Sequence, residues 1–322
     1  MSILVAGIDE CGYGPILGPL VVASSIFLIE ENPEVSMWDR LQESVGQIKK
    51  GLGNRILVTD SKKAYDRQSG LKHLEQTTRA FLNQLQVEKF SFPSILPVVS
   101  NDLIAQADMY PWYLSLYADE MPEISQTISN ALTENMKQEG INFVDFRCIC
   151  MDVAEFNKIV DATGSKAAVV VNSVLKLIQQ ILSIASFLNV KRILIYCDRL
   201  GGRMYYEGML KNLPDFTMYN LEESSMISKY KLISDKKTER RLDIQFEVGA
   251  DDKRFPVALA SMIGKYIREK VMQHMNEYFI KLQPDLKSTA GYWTDGHRFL
   301  RDLTDETLNK TSLKREDLIR IK

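Results

Sequence analysis

Two adjacent carboxylates near the N-terminus, Asp9 and Glu10, are the residues whose type and spacing could do chemistry. Consecutive side chains on a regular strand point to opposite faces, so both acids can serve one metal site only if the chain bends or bulges there. Gly12, Gly14 and Gly18 follow and permit a bend, because glycine adopts φ > 0 and lets the backbone approach another molecule. The alternative is a solvated hairpin end whose acids have no special role.

The elements that must position these acids are two apolar runs, residues 3–8 and 20–29, whose length and composition predict a β-hairpin. Between them, Pro15 and Pro19 fix φ and remove hydrogen-bond donors from the ladder. The hairpin therefore carries the acids at its mouth, beside a turn that can lie against a ligand.

Further acids stand where a predicted strand ends or a predicted helix begins. Asp198 ends the buried-type strand predicted over 191–198, and it is either a turn former or an active-site acid at the carboxyl edge of a sheet. Asp251 and Asp252 precede a predicted helix, where the helix dipole alone favours an acid. Residue types leave these alternatives open.

Five segments, in this order and spacing, resemble the signatures of the type 2 ribonucleases H, the family of ribonucleases HII and HIII. The segments are Gly7-Ile8-Asp9-Glu10 with its glycines, Asp60-Ser61-Lys62-Lys63, Asp198, the run from Asp251 to Lys265, and Gly291-Tyr292 with His297. The resemblance implies an α/β fold of the ribonuclease H type: a mixed five-stranded sheet with an antiparallel hairpin, parallel later strands and flanking helices. It also implies metal-dependent cleavage of the RNA strand of RNA/DNA hybrids by two-metal-ion catalysis.

Carried over residue by residue, the resemblance assigns the catalytic and metal-binding acids and the substrate-binding positions. The acids are Asp9, Glu10, Asp198 and Asp251, and the substrate-binding residues are Gly12, Tyr13, Gly14, Ser61, Lys62 and Tyr292. Counting back from Pro256 would select Asp252 as the fourth acid, but counting back from Ser261, the firmer anchor, selects Asp251. Tyr13 departs from the family pattern, which usually has Arg or Lys there, so another nucleic-acid substrate is an alternative.

The predicted acids also favour a particular kind of cofactor. Two like unit charges about 4 Å apart cost about 4 kcal/mol at an effective dielectric near 20. Hard divalent ions relieve this repulsion, and Mg²⁺ or Mn²⁺ suits both carboxylate and phosphate oxygens. A protein that only binds nucleic acid gains nothing from acids facing phosphates, so a non-catalytic binder is the less favoured alternative. The predicted cofactor is Mg²⁺ or Mn²⁺, and the predicted partner is an RNA/DNA hybrid.

Length and composition set the frame for these predictions. The chain has 322 residues, 45% of them hydrophobic, and a net charge of −2, so a binding face for nucleic acid must come from local Lys and Arg. Residues 1–87 and 141–322 are predicted to form the catalytic domain, and the clustered prolines and aromatics of 88–140 predict an insertion or lid-like subdomain. No basic leader or long uncharged apolar stretch is evident. We therefore expect a cytoplasmic protein without a membrane partner, with a monomer as the default.

Overall fold

The computed structural model describes residues 2–30, 35–65, 69–85, 109–235 and 238–321. In these ranges, seven strands form one mixed sheet with the order β5-β2-β1-β6-β9-β8-β7, and a separate pair is formed by β3 and β4. The strands are β1 (Ile3–Cys11), β2 (Leu20–Ile29), β3 (Val45–Gly46), β4 (Ile56–Leu57), β5 (Ile141–Met151), β6 (Arg192–Asp198), β7 (Phe216–Glu223), β8 (Ile227–Ser234) and β9 (Arg241–Glu247).

Helices cover both faces of the sheet. They are α1 (Met37–Arg40), α2 (Ser61–Ala64), α3 (Lys72–Asn83), α4 (Trp112–Tyr117), α5 (Gln126–Gln138), α6 (Val153–Thr163), α7 (Lys166–Phe187), α8 (Glu207–Leu210), α9 (Phe255–Leu282), α10 (Trp293–Asp302) and α11 (Asp305–Asn309). Side chains of β1 alternate between two apolar cores, with Val5 in the core that contains α9 and Leu4 in the core that contains α7. Because β1 is covered on both sides, its sequence is a continuous apolar run.

The strand directions establish the fold class. β1 runs antiparallel to β2 and parallel to β6, and β6 runs parallel to β9. This is the ribonuclease H-like α/β arrangement that the resemblance implies. The expected count of five strands is too low, because β8 and β7 extend the sheet in antiparallel pairing beyond β9. Tyr230 and Leu232 of β8 are buried and continue the α7-side core, which explains why the sheet does not end at β9.

The long helix α9 is fixed against β1 by a close backbone contact. A Cβ on Gly7 would lie 2.1 Å from the carbonyl carbon of Pro256, so no other residue fits there. The Ser25 hydroxyl donates a hydrogen bond of 2.7 Å to the Pro256 carbonyl oxygen. Proline is tolerated in the first turn of a helix because its missing N–H would have no partner there. The start of α9, and the loop before it, are thereby held beside the central strand.

The stretch 35–52, which looks helical in sequence, is mostly not a helix. Only α1 forms, and the chain then passes through turns into β3. The prediction failed because Leu41 and Val45 are fully buried in the α9-side core and because β3 pairs with β4, so tertiary packing overrides the local pattern.

Residues 109–140 belong to the segment predicted as an insertion, and residues 88–108 of that prediction lie outside the described residues. Tyr110, Trp112 and Tyr113 are buried in the same core as α9. The Asp119 carboxylate forms an ion pair with Lys270 of α9. The separate subdomain stays a prediction, but the described part shares its core with the sheet.

By length and composition alone, α7 is the one helix in the described ranges that could cross a membrane. Its side facing the sheet buries Val174, Leu177 and Ile181. Its opposite side carries exposed Lys176 and Gln179. A polar outer face is typical of a helix that packs on a sheet in water.

Candidate active site

The carboxyl edge of the parallel strands brings two predicted acids side by side. Ile8 of β1 pairs with Cys197 of β6, so the next residues, Asp9 and Asp198, lie at the same level of neighbouring strands. Asp198 ends β6, as predicted, and pairs in register with Glu247 at the end of β9. Ligand sites of open α/β sheets form at this edge, because the strand ends deliver side chains from distant parts of the chain to one place.

Asp251 reaches the same edge through the loop between β9 and α9. Gly249 turns the chain with φ 63°, and a single 3-10 turn, Ala250–Asp252, follows. The Ala250 N–H donates a hydrogen bond of 2.9 Å to Oδ1 of Asp198. This bond ties the loop that carries Asp251 directly to the acid at the end of β6.

All four predicted acids have raised pKa values, and burial is the largest cause for each. Repulsion from Glu10 and Asp198 adds to the rise for Asp9, whose pKa lies well above its usual 3.8. Burial, followed by the charge of Asp198, raises the pKa of Glu10 to about 7. For Asp251, burial and then the charges of Asp60 and Asp198 raise the pKa to about 6. The structure therefore places the four acids within electrostatic reach of one another.

The geometry separates Asp251 from Asp252, which the sequence could not do firmly. The Asp252 side chain is 45% exposed and forms an ion pair with Lys63. Asp251 instead faces the carboxylates of Asp60 and Asp198. This arrangement favours Asp251 as the fourth acid of the cluster.

Two serines support Asp9 from inside the protein. The Ser261 hydroxyl, on the second turn of α9, hydrogen-bonds the Asp9 carboxyl group and thereby lowers its pKa against the effect of burial. The same hydroxyl lies 3.0 Å from the hydroxyl of Ser61, at the start of α2. Ser61 and Ser261 are 6% and 4% exposed. Ser61, predicted to bind substrate, is thus placed as a buried neighbour of the acids.

Lys62 is the cation that the structure brings to the acid cluster from α2. Burial lowers its pKa, but Asp60, Asp251 and Asp9 outweigh that effect, so the net shift is upward. Its charge in turn lowers the pKa of Glu10 and Asp198. The prediction placed Lys62 near the substrate backbone, and the structure places it next to the acids.

The glycine turn between β1 and β2 is held by a buried arginine close to the other end of the sequence. Gly12 and Gly18 have φ 89° and 76°, which favour glycine. Arg320, only 3% exposed, donates through Nη1 to the Gly12 carbonyl oxygen at 2.6 Å and through Nε to the Gly18 carbonyl oxygen at 2.9 Å. Its backbone N–H donates to the Ile16 carbonyl oxygen at 2.9 Å. Gly14 stands exposed, with no atom near the place of a Cβ.

Tyr292 lies against the same turn. The Gly291 carbonyl oxygen accepts hydrogen bonds from the N–H groups of Ile16 at 2.8 Å and Leu17 at 3.2 Å. Gly291 has φ 82°, and a Cβ there would lie 2.6 Å from the Leu17 carbonyl oxygen. Fully buried Arg268 donates to the Ala290 carbonyl oxygen at 3.1 Å. The Tyr292 side chain, 54% exposed, is therefore presented at a fixed position beside the turn.

The donor set at the strand edge fits a hard divalent ion in its chemistry. It consists of carboxylate oxygens, and the Glu10 Oε2 atom is buried without a hydrogen-bond partner among the described residues. As the side chains stand, however, no three His, Cys, Asp or Glu residues in the described ranges are arranged to hold one ion.

Sequence reasoning missed three contributors to the site. Asp60 belongs to one of the five resembling segments but is not among the predicted site residues. Its Oδ1 accepts a hydrogen bond from the Lys62 N–H at 2.9 Å, and its charge raises the pKa of Asp251. Arg268 and Arg320 were missed altogether, because arginine is mostly exposed and nothing in the local sequence marks these two as buried. The signal available for Asp60 was its place in the segment Asp60-Ser61-Lys62-Lys63.

No protein-family model matches the sequence, and no curated protein matches it significantly. The similar solved structures include ribonucleases HII and HIII. An RNase HII from Archaeoglobus fulgidus, in complex with PCNA, is 16% identical with a TM-score of 0.41, covering 99% of this chain and 94% of its own. Ribonuclease H2 from Pyrococcus horikoshii OT3 is 15% identical with a TM-score of 0.44, covering 98% and 92%. Bst-RNase HIII in complex with Mn²⁺ is 11% identical with a TM-score of 0.43, covering 99% and 66%. Similarity at this level carries no activity over, so function has to be inferred from the chain's own residues.

Proposed function

We propose that this chain is a divalent-metal-dependent endonuclease that hydrolyses the RNA strand of RNA/DNA hybrids and leaves 3′-hydroxyl and 5′-phosphate ends. The observation that carries the proposal is the convergence of Asp9, Glu10, Asp198 and Asp251 at one edge of the sheet, where burial raises the pKa of each acid and neighbouring carboxylates add to the rise for Asp9, Glu10 and Asp251. A shift of this kind at a strand edge is characteristic of a functional site.

The four acids would hold Mg²⁺ or Mn²⁺. When bound, such ions lower the pKa of a water molecule and stabilise the leaving oxygen of an in-line displacement. The protein's part is to deliver deprotonated carboxylates, which metal binding favours, since it shifts their protons into solvent. Ser261 contributes by orienting the Asp9 carboxyl group.

The residues around the acids suit a nucleic-acid backbone. Lys62 adds a positive charge at the cluster, where a phosphate group can approach. Exposed Gly14 leaves the backbone of the turn open to close contact, and no hydrogen bond within the described residues occupies its N–H group. Tyr292 presents an exposed ring to a sugar or a base. The assignment to RNA/DNA hybrids rests on the resemblance of the five segments, and a cytoplasmic, monomeric protein is proposed with it.

The test is cleavage of a labelled RNA/DNA hybrid with Mg²⁺, with Mn²⁺ and with chelator. The wild type is compared with Asp251→Asn and with its neighbour Asp252→Asn, whose side chain pairs with Lys63 outside the cluster. We expect metal-dependent cutting by the wild type and by Asp252→Asn, and loss of cutting in Asp251→Asn. Equal activity of all three proteins would contradict the proposed site.

A substrate panel in the same assay separates the alternatives. A duplex with one embedded ribonucleotide, and plain single- and double-stranded DNA, are offered beside the hybrid. Cutting of DNA but not of the hybrid would indicate a nuclease of the same fold with another substrate, which the departure at Tyr13 allows. Tight binding without cutting under every metal would indicate a non-catalytic binder.

A further inference from the structure

A lysine from a distant part of the chain lies over the ring of Tyr13. The Nζ atom of Lys166, the first residue of α7, is 4.9 Å from the centre of the Tyr13 ring. The same Nζ atom is 6.0 Å from the ring centre of Phe156. An ammonium group at this distance from an aromatic face makes a cation–π contact. The two rings therefore hold the end of a long, flexible side chain at a defined place.

That place is beside the acid cluster. The charge of Glu10 contributes to a raised pKa of Tyr13, after burial, so the phenol and the carboxylate lie within electrostatic reach. On its other side, Tyr13 faces the loop that follows Asp198, since a Cβ on Gly201 would lie 3.5 Å from the ring. Tyr13 thus stands between the ends of β1 and β6, and Lys166 stands over Tyr13.

The glycine turn supplies no cation of its own. Residues 12–19 are Gly-Tyr-Gly-Pro-Ile-Leu-Gly-Pro, which carry no charge. The acids beside the turn repel phosphates, and a net charge of −2 gives the chain no general attraction for nucleic acid. A cation on the Tyr13 side would offset this repulsion where a backbone approaches the turn. Lys166, which is only partly buried, is such a cation.

We propose that Lys166 binds a phosphate group of the nucleic-acid backbone on the Tyr13 side of the acid cluster, with the Tyr13 ring as its platform. The inference rests on the proposed function and adds a binding residue to it. An ammonium group has three donors, so it can keep its contact with a ring face and still donate to a phosphate oxygen. Lys62 acts on the acids from α2, so the two lysines approach the acid cluster from two different elements.

The test is the salt dependence of hybrid binding, measured by fluorescence anisotropy in chelator so that no cutting occurs. Removal of one phosphate contact lowers the slope of log Kd against log salt by about 1. Wild type is compared with Lys166→Gln, with Lys166→Arg and with Lys176→Gln, a lysine on the exposed face of the same helix. The measurements run from about 0.05 to about 0.2 M KCl.

We expect Lys166→Gln to weaken binding several-fold at low salt and to reduce the slope by about 1. Lys166→Arg should keep the wild-type slope, and Lys176→Gln should change neither quantity. A purely structural cation–π contact would lower the melting temperature of Lys166→Gln but leave the slope unchanged, and that result would overturn the inference. If the wild type itself fails to bind the hybrid, the proposed function is contradicted, and so is the proposed role of Lys166. If the wild type binds the hybrid and the slope is unchanged in Lys166→Gln, only the proposed role of Lys166 is refuted.

Discussion

In two regions of the molecule, the pKa of a carboxyl group is shifted in opposite directions. At the α4–α9 contact, burial would raise the pKa of Asp119, but hydrogen bonds from Lys270 and His274 outweigh it and hold the pKa below the usual 3.8. At the strand edge, burial raises the pKa of Glu10 to about 7, and the charge of Asp198 adds to the rise. The first acid is paired with Lys270 and hydrogen-bonded to His274, and the second lies among other acids.

The difference shows which acids serve the fold. Asp119 fastens residues 109–125 to α9, since Lys270 and His274 both lie on that helix. A carboxylate that contributes to stability is paired in this way. The acids of the strand edge repel one another in the metal-free protein and so oppose folding, which is expected where function requires them.

The largest effect expected is on catalysis, from Asp9→Asn. A metal ion supplies several kcal/mol of transition-state stabilisation, so loss of this ligand should reduce kcat by at least about a hundred-fold. The free energy of unfolding of the metal-free variant should equal or exceed that of the wild type, because a repelling charge is removed. Single-turnover cleavage and urea unfolding measure the two quantities. A strongly destabilised Asp9→Asn would show that this acid also serves the fold.

The opposite result is expected for Asp119→Asn. Removing this charge leaves Lys270, which is 9% exposed, without its ion-pair partner, so the free energy of unfolding should fall by about 1–3 kcal/mol. The effect stays moderate because the Asp119 side chain is 26% exposed. Cleavage at a temperature where the variant is folded should be unchanged. A large loss of activity in the folded variant would show that Asp119 also serves catalysis, and would contradict its assignment to stability alone.

The pH dependence of stability sharpens the comparison. The pKa of Glu10 rises from 4.5 to about 7 on folding and that of Asp251 from 3.8 to about 6, so the folded state binds more protons than the unfolded state between about pH 4 and about pH 7. The free energy of unfolding in chelator should therefore fall across this window, by about 1–2 kcal/mol after allowance for solvent screening.

Melting temperatures from about pH 4 to about pH 7, with chelator and with Mn²⁺, measure this fall. Glu10→Gln should flatten the curve, and Mn²⁺ should raise the melting temperature most near neutral pH, where the carboxylates are most readily deprotonated. The lowered pKa of Asp119 acts in the other direction, since its stabilisation is lost as the pH falls below 3.8. A wild-type stability that rises between pH 4 and pH 7 would contradict the dominance of the strand-edge acids.

The smallest effect expected concerns the support of Asp9. Ser261→Ala removes the hydroxyl between Asp9 and Ser61 and should lower kcat several-fold with little change in KM, at a cost of about 1 kcal/mol in stability. Ser173→Ala is the matched control, because this buried serine of α7 donates its hydroxyl hydrogen to the Val169 carbonyl oxygen. Both variants should lose similar stability, and only Ser261→Ala should lose activity. Equal kcat values would show that Asp9 needs no orientation by Ser261.

The sequence predicts those parts of the site whose signal lies within a single short segment. Apolar runs mark β1 and β6 because both strands are buried, and acids at their ends must then share an edge once the strands are parallel. The choice between Asp251 and Asp252 could not be made with the same security, since the two are neighbours and only Lys63, from a distant segment, separates them.

Contacts between distant segments left no local signal. The contact of Lys166 with Tyr13 joins the start of a helix to a turn far away in sequence, so no spacing indicates it. The sequence of residues 216–222 and 228–234 predicts two strands, but the place of β7 and β8 at the sheet edge depends on how Tyr230 continues a core built elsewhere. In each case the missing information is tertiary.

The hydrogen bond from Arg320 to Gly12 also determines when the turn can be completed during protein synthesis. The two residues are 308 positions apart in the chain. Ribosomes add about 5–20 residues per second, so about 300 residues take about 15–60 s to make. During synthesis, the acids of β1 emerge early. The turn beside them can be fixed by Arg320 only after residue 320 has left the ribosome. A nascent chain therefore carries the acids of β1 well before Arg320 can fix the turn beside them.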